Sequence, residues 1–488
     1  MQAIIPKPVM TTETGNLFIL NKDTNIYVEP GVPELASIAD YLAERLRPAT
    51  GFPLQVFESS QSQRVGSIYL TISEKELELG QEGYTLAISP AAVRLAAYRP
   101  AGIFWGIQTL RQMLPPEVES PLPQTSPWTI QTGSIRDRPR FEWRGAMLDV
   151  ARHFFGVAEV KRYIDLLAYY KFNRFHLHLS DDQGWRIMIH SWPELALHGG
   201  NSAVAGDKGG YYSQAEYAEI AAYAAGRYIE VVPEIDLPGH TAAALASYPE
   251  LNRDGVAPDL YTGIEVGFSS LCTDKEITYR FVDDVIREVA EITPGRYIHI
   301  GGDEAASTKA EDYKPFIERV QAIVRAHGKQ CIGWEEIVNA KLQPGSLVQI
   351  WKSAVAHRAL EQGARVILSP GSRTYLDMKY NAASPLGLQW AGFIDVQDAY
   401  NWDLSEQEAG VDESDILGVE APLWSETLRT SQDIEYMALP RLPALAEIGW
   451  SPKTGRVWDD FAARLARHAP KWQAIGLNFY RSAQVDWR

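Results

Sequence analysis

YIHIGGDEA (Tyr297–Ala305) has a form that recurs along the chain. An apolar run leads into Gly301 and Gly302 and then into two adjacent carboxylates, Asp303 and Glu304. A buried strand that opens into a polar loop has this form, and the glycines let the backbone approach something closely. Outward from it, seven more short apolar runs end the same way. They run into LDVARH (Leu148–His153), HLHLSDDQGW (His176–Trp185), VVPEIDLPGH (Val231–His240), IGWEE (Ile332–Glu336), VQIWK (Val348–Lys352), LSPGSRTYLD (Leu368–Asp377) and VEAPLWSE (Val419–Glu426). The strands expected are Gly145–Val150, Arg174–Leu179, Tyr228–Ile235, Tyr297–Gly301, Gln330–Trp334, Leu347–Trp351, Arg365–Leu368 and Leu417–Glu420. Helical periodicity falls between them at Val157–Lys171, Ser213–Arg227, Lys275–Glu291, Glu311–Ala326 and His357–Gln362. This alternation predicts parallel βαβ units, and eight strands predict a (β/α)8 TIM barrel. Charged and aromatic residues gather at the C-terminal ends of the runs, where a barrel enzyme keeps its chemistry.

Upstream, the texture is that of a small α/β domain. Strand-like runs occur at Leu17–Leu20, Asn25–Val28, Ser67–Ile72, Tyr84–Ser89 and Val93–Ala97, and helical ones at Val32–Leu46 and Ala101–Leu114. The Pro-rich segment Pro115–Pro127 can neither continue a helix nor sit in a central strand, which places a boundary near Asp137. The expected division is a small α/β domain at 1–137 and a barrel at 138–488.

Composition narrows the function classes. The 488 residues are 45% hydrophobic and 22% charged, as in a globular protein. There are 46 basic against 62 acidic residues, a net charge of −16, so a polyanion such as nucleic acid would be repelled. No stretch approaches the ~18 apolar residues of a transmembrane helix, so no membrane partner is expected. Two cysteines, Cys272 and Cys331, give neither a disulfide framework nor a metal-type spacing. The start, MQAIIPKPVM, has no basic region followed by a long apolar one, so the chain as given reads as cytoplasmic. A trimmed mature form of a secreted protein would read the same. A homo-oligomer is left open. The 14 tryptophans fit a Trp-rich core or a sugar site, where indole faces stack on pyranose rings.

Adjacent carboxylates in a restricted site separate in role, one charged and one holding a proton. That suits glycosidic cleavage, in which an acid protonates the leaving oxygen and a negative group supports a cationic transition state. Here the sequence resembles the β-N-acetylhexosaminidases of glycoside hydrolase family 20. The matching motifs are RGAMLDVARHFF, FHLHLSDDQGWR, VVPEIDLPGH, HIGGDE, GWEE, RTYLD, GLQWAG and APLWSE, in order across the second domain. The first domain resembles the small α/β domain that precedes the barrel in this family.

The resemblance implies a retaining exo-glycosidase that removes terminal β-linked N-acetylglucosamine or N-acetylgalactosamine from a small carbohydrate or glycoconjugate, without a cofactor or metal. It implies substrate assistance, in which the 2-acetamido oxygen attacks the anomeric carbon and forms an oxazolinium ion. Glu304 is then the general acid and base, and Asp303 orients the acetamide and stabilises its developing charge. Trp334, Trp351 and Trp424 match the walls around the acetamide, Tyr375 a hydrogen-bond donor to its oxygen, and Trp390 a platform for the neighbouring sugar. Arg152, Glu426 and Asp377 match residues that bind sugar hydroxyls. Asp181 and His240 match a network supporting Glu304, with Asp236 behind it. Trp105, Trp143, Trp450 and Trp458 match no site motif and read as core.

Two other classes bear on these residues. His176 and His178 share one face of a strand, as metal ligands do in barrel amidohydrolases. There the pair is expected on the first strand, whereas here it lies on the second, so packed, hydrogen-bonded histidines are expected. A catalytically inactive sugar-binding protein would keep the tryptophans and lose the acid, whereas this chain has both Asp303 and Glu304.

Overall fold

Each of the eight apolar runs forms a strand, and the strands close on themselves. The computed structural model describes residues 3–59, 64–352, 354–404 and 411–487. Its barrel strands, numbered one to eight in chain order, are Trp143–Asp149, Arg174–His178, Glu230–Glu234, Tyr297–His299, Gln330–Trp334, Leu347–Ile350, Arg365–Leu368 and Ile416–Ala421. Neighbours in the chain pair in parallel, and strand eight pairs with strand one. Gln330–Trp334 and Arg365–Leu368 match the expected bounds, and the other ends differ by at most two residues. Arg365 is the one exposed strand position, as befits a parallel sheet covered on both faces. Helices such as Val157–Tyr169, Gln214–Ala225, Glu276–Ile292 and Ala310–Ala326 occupy the crossovers.

The barrel interior has two layers. Trp143, Val232, Tyr297, Ile332, Leu347, Ile367 and Leu417 form an apolar cluster near the N-terminal ends of the strands. Farther along the strands the inward side chains become polar: His176, Glu234, His299, Gln349 and Glu420 are all buried. Chemistry at the C-terminal rim therefore stands on a packed apolar floor and a hydrogen-bonded layer.

By internal contacts the chain divides into two compact units, Met1–Arg140 with Ala168–Lys171 and Ala446–Arg488, and Phe141–Leu167 with Phe172–Leu445. The C-terminal stretch thus clusters with the smaller unit, although it follows the barrel in sequence. That unit holds a seven-stranded sheet built from Met10–Ile19, Thr129–Asp137, Tyr84–Ile88, Ala92–Ala97, Ser67–Ile72, Ile26–Val28 and Val56–Glu58, in that spatial order. Helices Pro33–Thr50 and Pro100–Met113 pack against the sheet and each other. Two of these strands, Val56–Glu58 and Thr129–Asp137, have no counterpart among the sequence-based expectations. The second reads TIQTGSIRD, too polar and glycine-interrupted to stand out before its partners on either side are known. Its last residue, Asp137, is fully buried and accepts hydrogen bonds from Tyr84 Oη (2.7 Å), Lys171 Nζ (3.1 Å) and Trp450 Nε1 (3.0 Å).

Candidate active site

Strand four delivers the acidic pair. Gly301 (φ 65°) and Gly302 (φ 100°) turn the chain in a region that suits glycine, and Glu304 (φ 44°) continues the left-handed path. A Cβ on Gly301 would lie 1.7 Å from Asp236 Oδ1, so the two backbones meet as closely as a glycine allows. The turn sends the carboxylates to different surroundings. Asp303 is 7% exposed, while the Glu304 side chain keeps 32% of its surface open. Burial raises the Asp303 pKa to about 6, with His240 opposing and the charges of Glu234 and Glu304 adding to the rise.

His240, also left-handed at φ 55°, lies between the pair and a second acid. Its Nε2 is 3.7 Å from both Asp303 Oδ2 and Glu304 Oε2, and its Nδ1 is 3.1 Å from Asp181 Oδ1. Burial alone would discharge this imidazole, but Asp181 and Asp236 outweigh it and hold the pKa well above the ordinary value. Asp181 also meets His178 Nε2 at 2.8 Å and Arg152 Nη2 at 2.8 Å. Burial pushes the Asp181 carboxyl up, yet Arg152 and His240 bring it far below the usual range. Asp236 accepts the Gly302 N–H at 3.0 Å, and burial next to Asp303 pushes its pKa strongly up. Arg152, Asp181 and His240 thus form a chain that alternates in charge and ends at the acidic pair.

The aromatic residues form one connected set, and the Asp377 and Asp303 charges both act on Tyr375 within it. Trp334 ends strand five and donates Nε1–H to Glu234 Oε1 at 2.9 Å, which fixes its ring. Its ring centre is 6.0 Å from Trp424, and Trp424 is 6.4 Å from Tyr375. Tyr375 lies nearly parallel to Trp351, with centres 6.3 Å apart and planes at 14°. Trp390 meets Trp351 and Tyr375 edge-on and is 53% exposed, the outermost member of the set. The Arg152 guanidinium lies 4.7 Å from the Trp424 ring centre.

The polar residues around this box share one property. Arg152 Nε and Nη1, Asp303 Oδ1, both Asp377 carboxylate oxygens and Glu426 Oε2 are buried without a hydrogen-bond partner. They belong to loops after strands one, four, seven and eight. Burial, then the facing Glu426 charge, pushes the Asp377 pKa well up. Buried polar atoms are nearly always paired, so donors and acceptors left open around an indole-lined space suit a ligand with many hydroxyls.

Sequence reasoning missed the supports beneath. Glu234 joins His178 Nδ1, His299 Nδ1 (3.0 Å) and the Trp334 indole, and lies 3.0 Å from His176 Nε2. Glu420 accepts from Trp143 Nε1 (2.9 Å), His176 Nδ1 (2.7 Å) and Gln349 Nε2 (3.0 Å). Their signal was a glutamate inside an otherwise apolar run. His176 and His178 are thus packed and hydrogen-bonded to carboxylates. Among the described residues three groups, His176–Glu234–His299, Asp181–Asp182–His240 and Asp236–His240–Asp303, bring metal-type donor atoms within 4.8 Å, and within them Asp182 accepts from Ser269 Oγ and from the Ala242 N–H at 2.9 Å. Glu335 and Glu336 were also unassigned.

A closed barrel with an acidic pair, an aromatic box and open polar atoms at its C-terminal rim defines a glycoside hydrolase. Residues 141–453 match the model of the glycosyl hydrolase family 20 catalytic domain, and residues 1–138 that of the same family's domain 2. A β-N-acetylhexosaminidase of Cellulomonas fimi is 42% identical, covering 99% of this chain and 97% of its own. The family 20 β-N-acetylhexosaminidase structure from Streptomyces coelicolor A3(2) superposes with a TM-score of 0.96 at 50% identity, covering 100% and 99% of the two chains. A Streptomyces plicatus N-acetyl-β-hexosaminidase structure, in complex with Thio-NAglucal, also gives 0.96 at 52% identity, covering 100% and 98%. This chain belongs to glycosyl hydrolase family 20.

Proposed function

We propose that this chain removes terminal β-linked N-acetylglucosamine or N-acetylgalactosamine from oligosaccharides or glycoconjugates with retention, the substrate's acetamide acting as nucleophile. The supporting observation is the set of buried, unpartnered polar atoms of Arg152, Asp303, Asp377 and Glu426 around the Trp334–Trp351–Tyr375–Trp424 box. A mutant of the Streptomyces plicatus relative has also been seen in complex with product GlcNAc.

In this reading Arg152, Asp377 and Glu426 hold the sugar's hydroxyls, and the box presses the acetamide toward the anomeric carbon. Glu304, the more open acid, donates its proton to the glycosidic oxygen as the C–O bond breaks. The acetamide oxygen forms the new bond to that carbon, giving an oxazolinium ion. Asp303 accepts the acetamide N–H and, once ionised, balances the positive charge. Water then attacks from the face the leaving group vacated and loses a proton to Glu304, which restores the starting state. An internal nucleophile makes attack an oriented unimolecular step. Trp390, exposed at the rim, receives the leaving sugar.

The test is cleavage of an aryl β-N-acetylglucosaminide followed by NMR. The β anomer should appear first. Initial release of the α anomer would refute retention, and no cleavage would refute the function. Extensive dialysis against a chelator should leave activity unchanged, whereas loss restored by Zn²⁺ would favour a metal-dependent hydrolase.

A further inference from the structure

Trp351 is held at both ends by consecutive residues of the loop after strand five. Glu335 Oε2 accepts its backbone N–H at 2.9 Å and that of Lys352 at 2.9 Å. Glu336 Oε2 accepts the indole Nε1–H at 3.3 Å. The first clamp fixes where strand six ends. The second fixes how the ring is turned, because a Trp ring otherwise rotates freely about its last torsion until packing stops it. On its other sides the ring meets Tyr375 and Trp390, neither of which offers it a hydrogen bond.

We propose that Glu336 is a positioning residue for this site: by holding the Trp351 indole it sets the wall against which the substrate's N-acyl group is folded, and so sets which acyl groups serve as nucleophile. The inference rests on the substrate-assisted reading above. Burial and the Asp303 charge push the Glu336 carboxyl up to about 8, so a neutral side chain faces Asp303 at pH 7. Glutamine is then its closest isostere, retaining a carbonyl oxygen for the indole.

The test uses Glu336→Gln, Glu336→Leu and Trp351→Phe, each on aryl β-glycosides of N-acetyl- and N-propionylglucosamine. Glu336→Gln should stay within about threefold of wild type in kcat and in acetyl preference. Glu336→Leu should lose about 10- to 100-fold in kcat with KM changed less than threefold, and its acetyl-over-propionyl ratio in kcat/KM should fall several-fold. Trp351→Phe keeps a ring without the N–H and should show the same split, and combining it with Glu336→Leu should add little. Unchanged kcat and acyl preference in Glu336→Leu would overturn the proposal. If that variant does not fold, a Trp351→Phe enzyme of wild-type kcat and preference would overturn it instead. Equal losses in the Gln and Leu variants would also overturn it, because the acceptor oxygen would then not be what matters. Failure of wild type to discriminate between N-acetyl and 2-hydroxy sugars would instead sink the substrate-assisted reading.

Discussion

Asp303 and Glu304 are neighbours in sequence, yet the turn gives them opposite settings, and each setting has a measurable consequence. Glu304→Gln preserves shape and removes the proton. Turnover of an unactivated disaccharide should fall by about 10²–10⁴, while the first step on a nitrophenyl glycoside, whose leaving group needs little protonation, should fall much less. Asp303 acts as an anion but has a pKa near 6, so kcat/KM should decline as pH falls through about 6. An acid limb near pH 4 would contradict that. The same shift makes a stability statement. Folding raises this pKa above its unfolded value of 3.8, so protons bind the native state more tightly between those values and stability drops as pH rises from about 4 to 6. Asp303→Asn should therefore be more stable than wild type at pH 7, by on the order of 2–3 kcal/mol, in denaturant unfolding, and match it near pH 4, while losing most activity. In the sequence, Asp303 and Glu304 stood out because they follow an apolar strand and two glycines, whereas the roles of the other site residues came from the family resemblance. Glu234 and Glu420 were not legible: each acquires its partners from strands far away in sequence.

At the scale of elements, strand four and its turn depend on close backbone approach. Gly301→Ala would put a methyl carbon on Asp236 Oδ1 at a left-handed φ, expelling the carboxylate that accepts the Gly302 N–H. We expect a kcat loss of at least about tenfold and a destabilisation of roughly 2 kcal/mol or more, read from steady-state kinetics and thermal melts. A wild-type response in both would show that the turn relaxes freely. The barrel strands were legible because burial on both faces leaves them mostly apolar, with a few polar residues such as His176, Glu234 and Glu420 among them. Thr129–Asp137 escaped notice because six of its nine positions carry polar side chains and Gly133 interrupts it. Its strand character comes from pairing on both sides, to Met10–Ile19 and to Tyr84–Ile88. Val56–Glu58, three residues long, offers too little pattern to read.

At the scale of the molecule, stability and catalysis rest on different polar clusters. In the smaller unit Lys171 and Asp137 are wholly buried and paired, with Tyr84 and Trp450 completing the set. Lys171→Met leaves the Asp137 charge uncompensated and should cost about 3–5 kcal/mol in denaturant unfolding, with kcat of the folded enzyme unchanged. A parallel loss in kcat would show that this cluster also shapes the active site. In the barrel unit the proposed role of the polar and aromatic clusters is to make the substrate's acetamide the nucleophile. It is tested most directly by kcat across aryl β-glucosaminides bearing acetyl, fluoroacetyl, difluoroacetyl and trifluoroacetyl groups on nitrogen. Each fluorine draws electrons from the amide oxygen, so kcat should fall at every step and by well over tenfold across the series, more than about 1.4 kcal/mol of barrier. A flat series, with a glycosyl ester on Asp303 or Glu304 found by mass, would make a protein carboxylate the nucleophile and contradict the account.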